Sequence, residues 1–86
     1  MSAVLEGELS FARVPHWLGQ ADALVSGPEL DLGKVTRADS AGLALLLELS
    51  RRARKQGHEL KLRAAPPQLL QLATFFGLDD VLRFEA

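Results

Sequence analysis

The stretch from Asp39 to Gln56 limits the folds open to this chain more than any other. It opens on the polar pair Asp39-Ser40, passes the small residues Ala41 and Gly42, and then runs Leu43-Ala44-Leu45-Leu46-Leu47 without a polar side chain. Its later half carries Arg51, Arg52, Arg54 and Lys55, and Gly57 follows. Asp or Ser ahead of an apolar run marks a helix start, basic side chains complement a helix C-terminus, and Gly just past the end is a favoured stop. Glu48 precedes Arg52 by four residues, in the favourable order for a helical ion pair. The spacing predicts one helix from Asp39-Ser40 to about Gln56. Because its first half is apolar almost all round, that helix must be buried on more than one side.

The rest of the chain has to supply the cover. Val4 to Leu9 reads as a first strand interrupted by Gly7. Pro15 suits the first turn of a helix in which Val14, Trp17, Leu18, Ala21, Leu24 and Val25 recur at helical spacing, and Ser26-Gly27-Pro28 ends it. Glu29 to Leu32 alternates, with Leu30 and Leu32 on one face. Gly33-Lys34 breaks that strand, and Val35 returns to the core in a short apolar strand leading to Asp39-Ser40. His58 to Ala64 alternates again, with Leu60, Leu62 and Ala64 inward. Pro66-Pro67 opens a third helix with the apolar stripe Leu69, Leu72, Ala73 and Phe76, capped by Gly77, and Leu78, Val81, Leu82 and Phe84 form a packing tail. Strands alternating with crossover helices place the chain in the α/β class, as one domain over residues 1–86. The expected sheet is small and partly parallel, with helices mainly on one face.

Composition narrows the function. The net charge of −1 argues against a nucleic-acid binder working by bulk electrostatics. The absence of cysteine excludes disulfides and thiolate metal sites. No basic region followed by a long apolar run opens the sequence, and the run Leu43 to Leu47 is too short to span a bilayer. A soluble cytoplasmic domain is the expectation.

The chemistry-bearing candidates converge on Asp39-Ser40. A hydroxyl at a helix N-terminus sits where backbone N–H groups and the helix dipole favour negative charge, which suits a phosphate or a partner sensitive to one. The plain alternative is that Asp39 or Ser40 only caps the helix. Small Ala41 and Gly42 would let another surface approach the first turn closely, and Gly42 costs up to about 1 kcal/mol relative to Ala in a helix. Ser40 as a nucleophile lacks both a Gly-x-Ser-x-Gly elbow and a nearby base: His58 lies ~25 Å along the same helix, and His16 belongs to the first helix as an exposed or half-packed residue. Two isolated histidines show no metal-ligand spacing, and no Gly-rich phosphate loop occurs, so no metal or cofactor is expected. The basic run Arg51, Arg52, Arg54, Lys55 reads as a solvated face, or as a surface for an acidic partner or anionic headgroups, without membrane insertion. Trp17 and Phe11 are expected in the core. Of the adjacent pair Phe75 and Phe76, one should face the core, with Phe75 the exposed member.

An ordered set of short segments resembles the STAS domain family: Gly7-Glu8-Leu9, Asp31-Leu32 with Val35, Asp39-Ser40-Ala41-Gly42-Leu43, Lys55-Gln56-Gly57, Leu60-Lys61-Leu62, and Leu72 to Leu78. The resemblance covers nearly the whole chain and implies a mixed, mostly parallel sheet of about four strands flanked by helices. In the anti-sigma factor antagonist branch, the position matching Ser40 is phosphorylated by a partner kinase. In the MlaB-like branch, the matching Ser or Thr lies in the contact surface with the ATPase of a phospholipid-transporting ABC system. The run Ala38-Asp39-Ser40-Ala41-Gly42-Leu43-Ala44-Leu45-Leu46-Leu47 is more similar to the MlaB-like branch, as is the Val14-Pro15 pair. The resemblance thus implies a non-enzymatic subunit at the inner face of the inner membrane that binds and regulates an ATPase (with a permease in the full complex) through Arg37, Asp39, Ser40, Ala41, Gly42 and Leu43 and the exposed side of the helix they open. The alternative it implies is an antagonist switched by phosphorylation of Ser40 by an anti-sigma factor kinase. Ser10 stands where many members carry Asp, and many carry a further strand ahead of Gly7, which leaves the N-terminal sheet edge open.

Overall fold

Two short breaks shape the sheet of this protein. The computed structural model describes residues 3–85. Strand β1 (Ala3–Val4) and strand β2 (Gly7–Leu9) follow one another along a bent path, as do β3 (Glu29–Asp31) and β4 (Val35–Ala38). Gly7 sits at the first bend with φ +94°, a left-handed value that a side chain would resist. At the second, Gly33 N–H donates to the Asp31 side chain at 2.8 Å and Val35 N–H closes a turn onto Leu32 O at 3.1 Å. Bonds from Leu5 N–H to Asp31 O and from Gly7 N–H to Lys34 O carry the pairing across both breaks.

Beyond the bends, β3 pairs with β5 (Lys61–Arg63), and β5 with β6 (Arg83–Glu85). The strand order is β1-β3-β5-β6, with β2-β4 as a separate pair, and every pairing among the described residues is parallel. Parallel neighbours require crossover connections, which the helices provide. Helices α1 (Val14–Leu18) and α2 (Ala21–Leu24) follow β2, α3 (Ser40–Lys55) follows β4, and α4 (Pro67–Phe75) lies between β5 and β6. The expected small, mostly parallel α/β sheet is what forms.

Leucine dominates the core. Leu5, Leu9, Leu30, Leu32 and Leu62 from the strand paths meet Leu43, Leu46, Leu49 and Ala53 of α3, with Leu69 and Ala73 of α4 and Leu82 completing the cluster. These α3 positions recur every three or four residues, so one stripe of the helix faces inward. The expectation that α3 is covered on more than one side holds only in part. Ala44 is exposed, and Ala41 and Leu47 are only half-buried, so a second, apolar flank stays open.

Several local expectations are corrected. The first helix is two short ones, broken at Gly19-Gln20. Glycine is a weak helix former, and the chain turns there after Trp17 has buried itself and donated Nε1–H to Glu8 O at 3.3 Å. Ala64 is not inward: it lies beyond β5, exposed, with φ +59°, because the chain reverses there. Phe76 leaves the α4 stripe because the helix ends at Phe75, and both Phe75 and Phe76 are open to solvent. The packing tail contains a strand, β6, with Leu82 buried just ahead of it and Phe84 half-buried within it. Phe11, expected in the core, is 77% exposed, whereas its neighbour Ser10 turns inward and is buried.

Candidate functional site

Asp39 organises the start of α3. It is the N-cap residue, in extended backbone geometry, and its Oδ1 accepts the Gly42 N–H at 3.0 Å. Its Oδ2 accepts the Phe11 N–H at 3.0 Å, across 28 residues of sequence. Its own N–H donates to Leu9 O at 3.2 Å. One carboxylate therefore joins the first turn of α3 to the loop after β2. The Phe11 N–H is the largest cause holding the Asp39 carboxyl below its ordinary value of 3.8. Partial burial opposes it, and the Gly42 and Ala41 N–H groups and the charge of Arg37 add to it.

That arrangement resolves which residue caps. Asp39 does, and Ser40 is left at the first helical position, exposed, with its hydroxyl making no hydrogen bond among the described residues. Gly42 has a different reason to be small from the one its sequence context suggests. A Cβ placed there would overlap the Leu9 carbonyl oxygen, and would lie 2.6 Å from the Leu9 carbonyl carbon and 2.7 Å from its Cγ. The close approach to Gly42 is made by the chain's own β2. Leu43 is 2% exposed and likewise faces inward. Ala41 is half-buried beside Ser40, and Arg37 is exposed on β4.

On either side of the Ser40 turn the surface is apolar. Between α1 and α3 an open groove of about 510 Å³ is lined by Phe11, Val14, Pro15, Leu18, Ala41 and Ala44, among others. On the opposite side Ser40, Ala44 and Leu47 meet Phe76 and Leu78 around a depression of about 110 Å³. Ala44 belongs to both, so the two form one face running across the open flank of α3. The sequence reading missed Phe11, Leu18, Leu47 and Phe76 as members of that face. The available signal was the all-round apolarity of α3, which has more apolar flanks than the sheet and α4 can cover.

Toward its C-terminus the helix turns ionic. Glu48 accepts from Arg51 at 2.7 and 2.8 Å and from Arg52 at 2.8 Å. Arg51 first, then Arg52, draws the Glu48 carboxyl down to about 2. Arg52 also reaches Asp22 at 3.5 Å. His16 is exposed on α1, and His58 lies half-buried beyond the C-terminus of α3, at the opposite end of that helix from Ser40. Among the described residues no group of three His, Cys, Asp or Glu is placed to hold a metal ion, and no helix is long and apolar enough to cross a membrane.

A small parallel sheet packed against helices, with an exposed hydroxyl on the rim of an apolar face, makes this an α/β domain. The comparisons with known proteins say of which kind. A family model described as "Mlab, STAS domain" matches residues 3–83. The chain is 38% identical over 80 residues to the intermembrane phospholipid transport system binding protein MlaB of Escherichia coli (strain K12), covering 91% of this chain and 82% of that one. The protein of the same name from Haemophilus influenzae is 37% identical over 84 residues, covering 88% and 79%. The solved structure of the anti-sigma factor antagonist SpoIIAA in its unphosphorylated form matches with a TM-score of 0.71 over 96% of this chain and 76% of that one. Its 18% identity makes this a likeness of fold. The chain belongs to the STAS domain family, in its MlaB group.

Proposed function

We propose that this protein is the small, non-enzymatic STAS subunit of an Mla-type phospholipid transport system and that it docks on the ATPase subunit through the Ser40 face of α3. The names of its relatives support membership of such a system. The observation that carries the docking surface is the open apolar flank of α3, with the unpartnered Ser40 hydroxyl at its edge. In this reading Ser40 and Ala41 touch the partner and Arg37 contributes from the rim. Asp39, Gly42 and Leu43 shape the turn from inside. The protein would sit at the inner face of the inner membrane because the transporter holds it there. Its effect on the ATPase would be limited to its differential affinity for the ATPase's conformations.

The test is retention on the ATPase. Ser40→Arg places a long charged side chain on an exposed position, so the fold is expected to survive and the docking face to be blocked. Co-expression of the chain with the tagged ATPase and permease should give a complex with the wild type and none with Ser40→Arg, at unchanged circular dichroism. Retention of Ser40→Arg at wild-type levels would remove Ser40 from the interface.

A second reading has its own observation: an exposed, unbonded hydroxyl in the first turn of a 16-residue helix is accessible to a kinase. Phosphorylation of Ser40 by an anti-sigma factor kinase would add about −1.5 to −2 charges beside Asp39, whose carboxylate already occupies the helix N-terminus, and so would repel an acidic partner. Incubation with the cognate kinase and ATP followed by intact mass decides it, since an unchanged mass refutes the switch.

A further inference from the structure

Phe11 lines the groove with 77% of its surface exposed, yet its backbone is tightly held. Its N–H goes to Asp39 Oδ2, the preceding Ser10 O accepts from Arg13 and Val14 N–H at 2.9 and 3.0 Å, and Leu9 O accepts from Asp39 N–H. An aromatic ring left in water forgoes its transfer free energy, and one on a rigid backbone loses little entropy when a partner covers it. The groove beside Phe11 shares Ala41 and Ala44 with the turn that bears Ser40, so it is continuous with the proposed docking face. Its one charged liner, Glu48, is already satisfied by Arg51 and Arg52, so an occupant needs no counter-charge. The groove is a half-open surface depression between α1 and α3, a shape that admits a ridge of protein side chains.

We propose that Phe11 is the aromatic anchor of the Ser40 face, that an apolar side-chain ridge of the ATPase subunit fills the groove beside it, and that Asp39 is the positioning residue that holds Phe11 there. This rests on the docking reading above and assigns the chemistry of its contact. Asp39→Asn separates the two bonds of the carboxylate. Asn caps helices as well as Asp and keeps one oxygen for the Gly42 N–H, but its amide nitrogen cannot accept from Phe11.

Affinity is read by biolayer interferometry of the purified chain against the purified ATPase subunit. Phe11→Ala should weaken binding about thirtyfold or more, the scale of an interface anchor. Asp39→Asn should weaken it roughly three- to tenfold while melting within about 8 °C of wild type, the scale of one lost hydrogen bond. The double variant should bind no worse than Phe11→Ala alone, because Asp39 acts through Phe11. That non-additivity is the readout a merely structural role would not produce. Additive losses, or wild-type affinity for Asp39→Asn, overturn the positioning role. Wild-type affinity for Phe11→Ala, with Ser40→Arg still inactive, overturns the anchor and leaves the docking reading standing. Absence of binding by the wild type overturns both. Self-association of the wild type in sedimentation velocity, abolished by Phe11→Ala, would reassign the groove to a second copy, and saturable binding of a fluorescent fatty acid would reassign it to lipid. Either result overturns the assigned occupant.

Discussion

Gly42→Ala should destabilise this protein, although helix propensity alone predicts the reverse. Alanine inside a helix is favoured over glycine by about 1 kcal/mol. At position 42 the new methyl would overlap the Leu9 carbonyl oxygen, 2.6 Å from the Leu9 carbonyl carbon and 2.7 Å from Cγ. The obstacle is mainly the backbone of β2, which is fixed by pairing with β4, so no side-chain rotation relieves it. Restoring ordinary carbon–oxygen contact requires α3 to move away from β2 by roughly 1 Å or more, across an interior packed to crystal-like density. Overpacking on this scale costs about 1–3 kcal/mol, and displacing a 16-residue helix from its strand lies at the upper end of that range. Net of the propensity gain, a loss of about 2 kcal/mol is expected, equivalent to roughly 8–16 °C in Tm for a domain of this size. Thermal and urea unfolding followed by circular dichroism measure it. A Gly42→Ala protein as stable as wild type, or more stable, would refute the close approach of α3 to β2.

Two further outcomes follow from the same geometry. Asp39 has its carboxyl held below 3.8 in the folded state, so its contribution to stability is fully present above that value and is lost as pH falls through the lowered folded pKa. The stability difference between wild type and Asp39→Asn should therefore be largest near neutral pH and shrink below about pH 4, and a difference independent of pH would contradict the two N–H bonds. Leu46 is completely buried at the centre of the α3 stripe, so Leu46→Ala should cost about 2–5 kcal/mol in urea unfolding, whereas a loss below about 1 kcal/mol would contradict that burial.

The sequence was most informative where a local rule and the tertiary fold agree. Leu30, Leu32, Leu60 and Leu62 alternate in the sequence and are buried in the structure. The start of α3 at Asp39-Ser40 and its end before Gly57 follow from capping chemistry. Strand β6 was illegible because three residues pairing on one edge with a parallel neighbour leave almost no period to read. Phe11 was misplaced because nothing local reveals that Asp39, 28 residues away, takes its N–H and fixes the loop with Ser10 inward. Gly42 looked like an opening for a partner because the obstacle that makes glycine necessary, the Leu9 carbonyl, lies on another strand. In each case the missing information was a contact distant in sequence. At the site itself, Asp39 and Ser40 were identifiable from spacing, but their division of labour between cap and free hydroxyl needed the geometry.

The proposed docking face for the ATPase subunit is the open flank of α3 around Ser40. Hydrogen–deuterium exchange of the chain, alone and in complex with that subunit, maps the face. Peptides covering Ser10 to Leu18 and Ser40 to Leu47 should gain protection on binding, with no change across β6 at Arg83–Glu85. Protection confined to β6 or to the basic segment Arg51 to Lys55, with Ser40 to Leu47 unchanged, would contradict it.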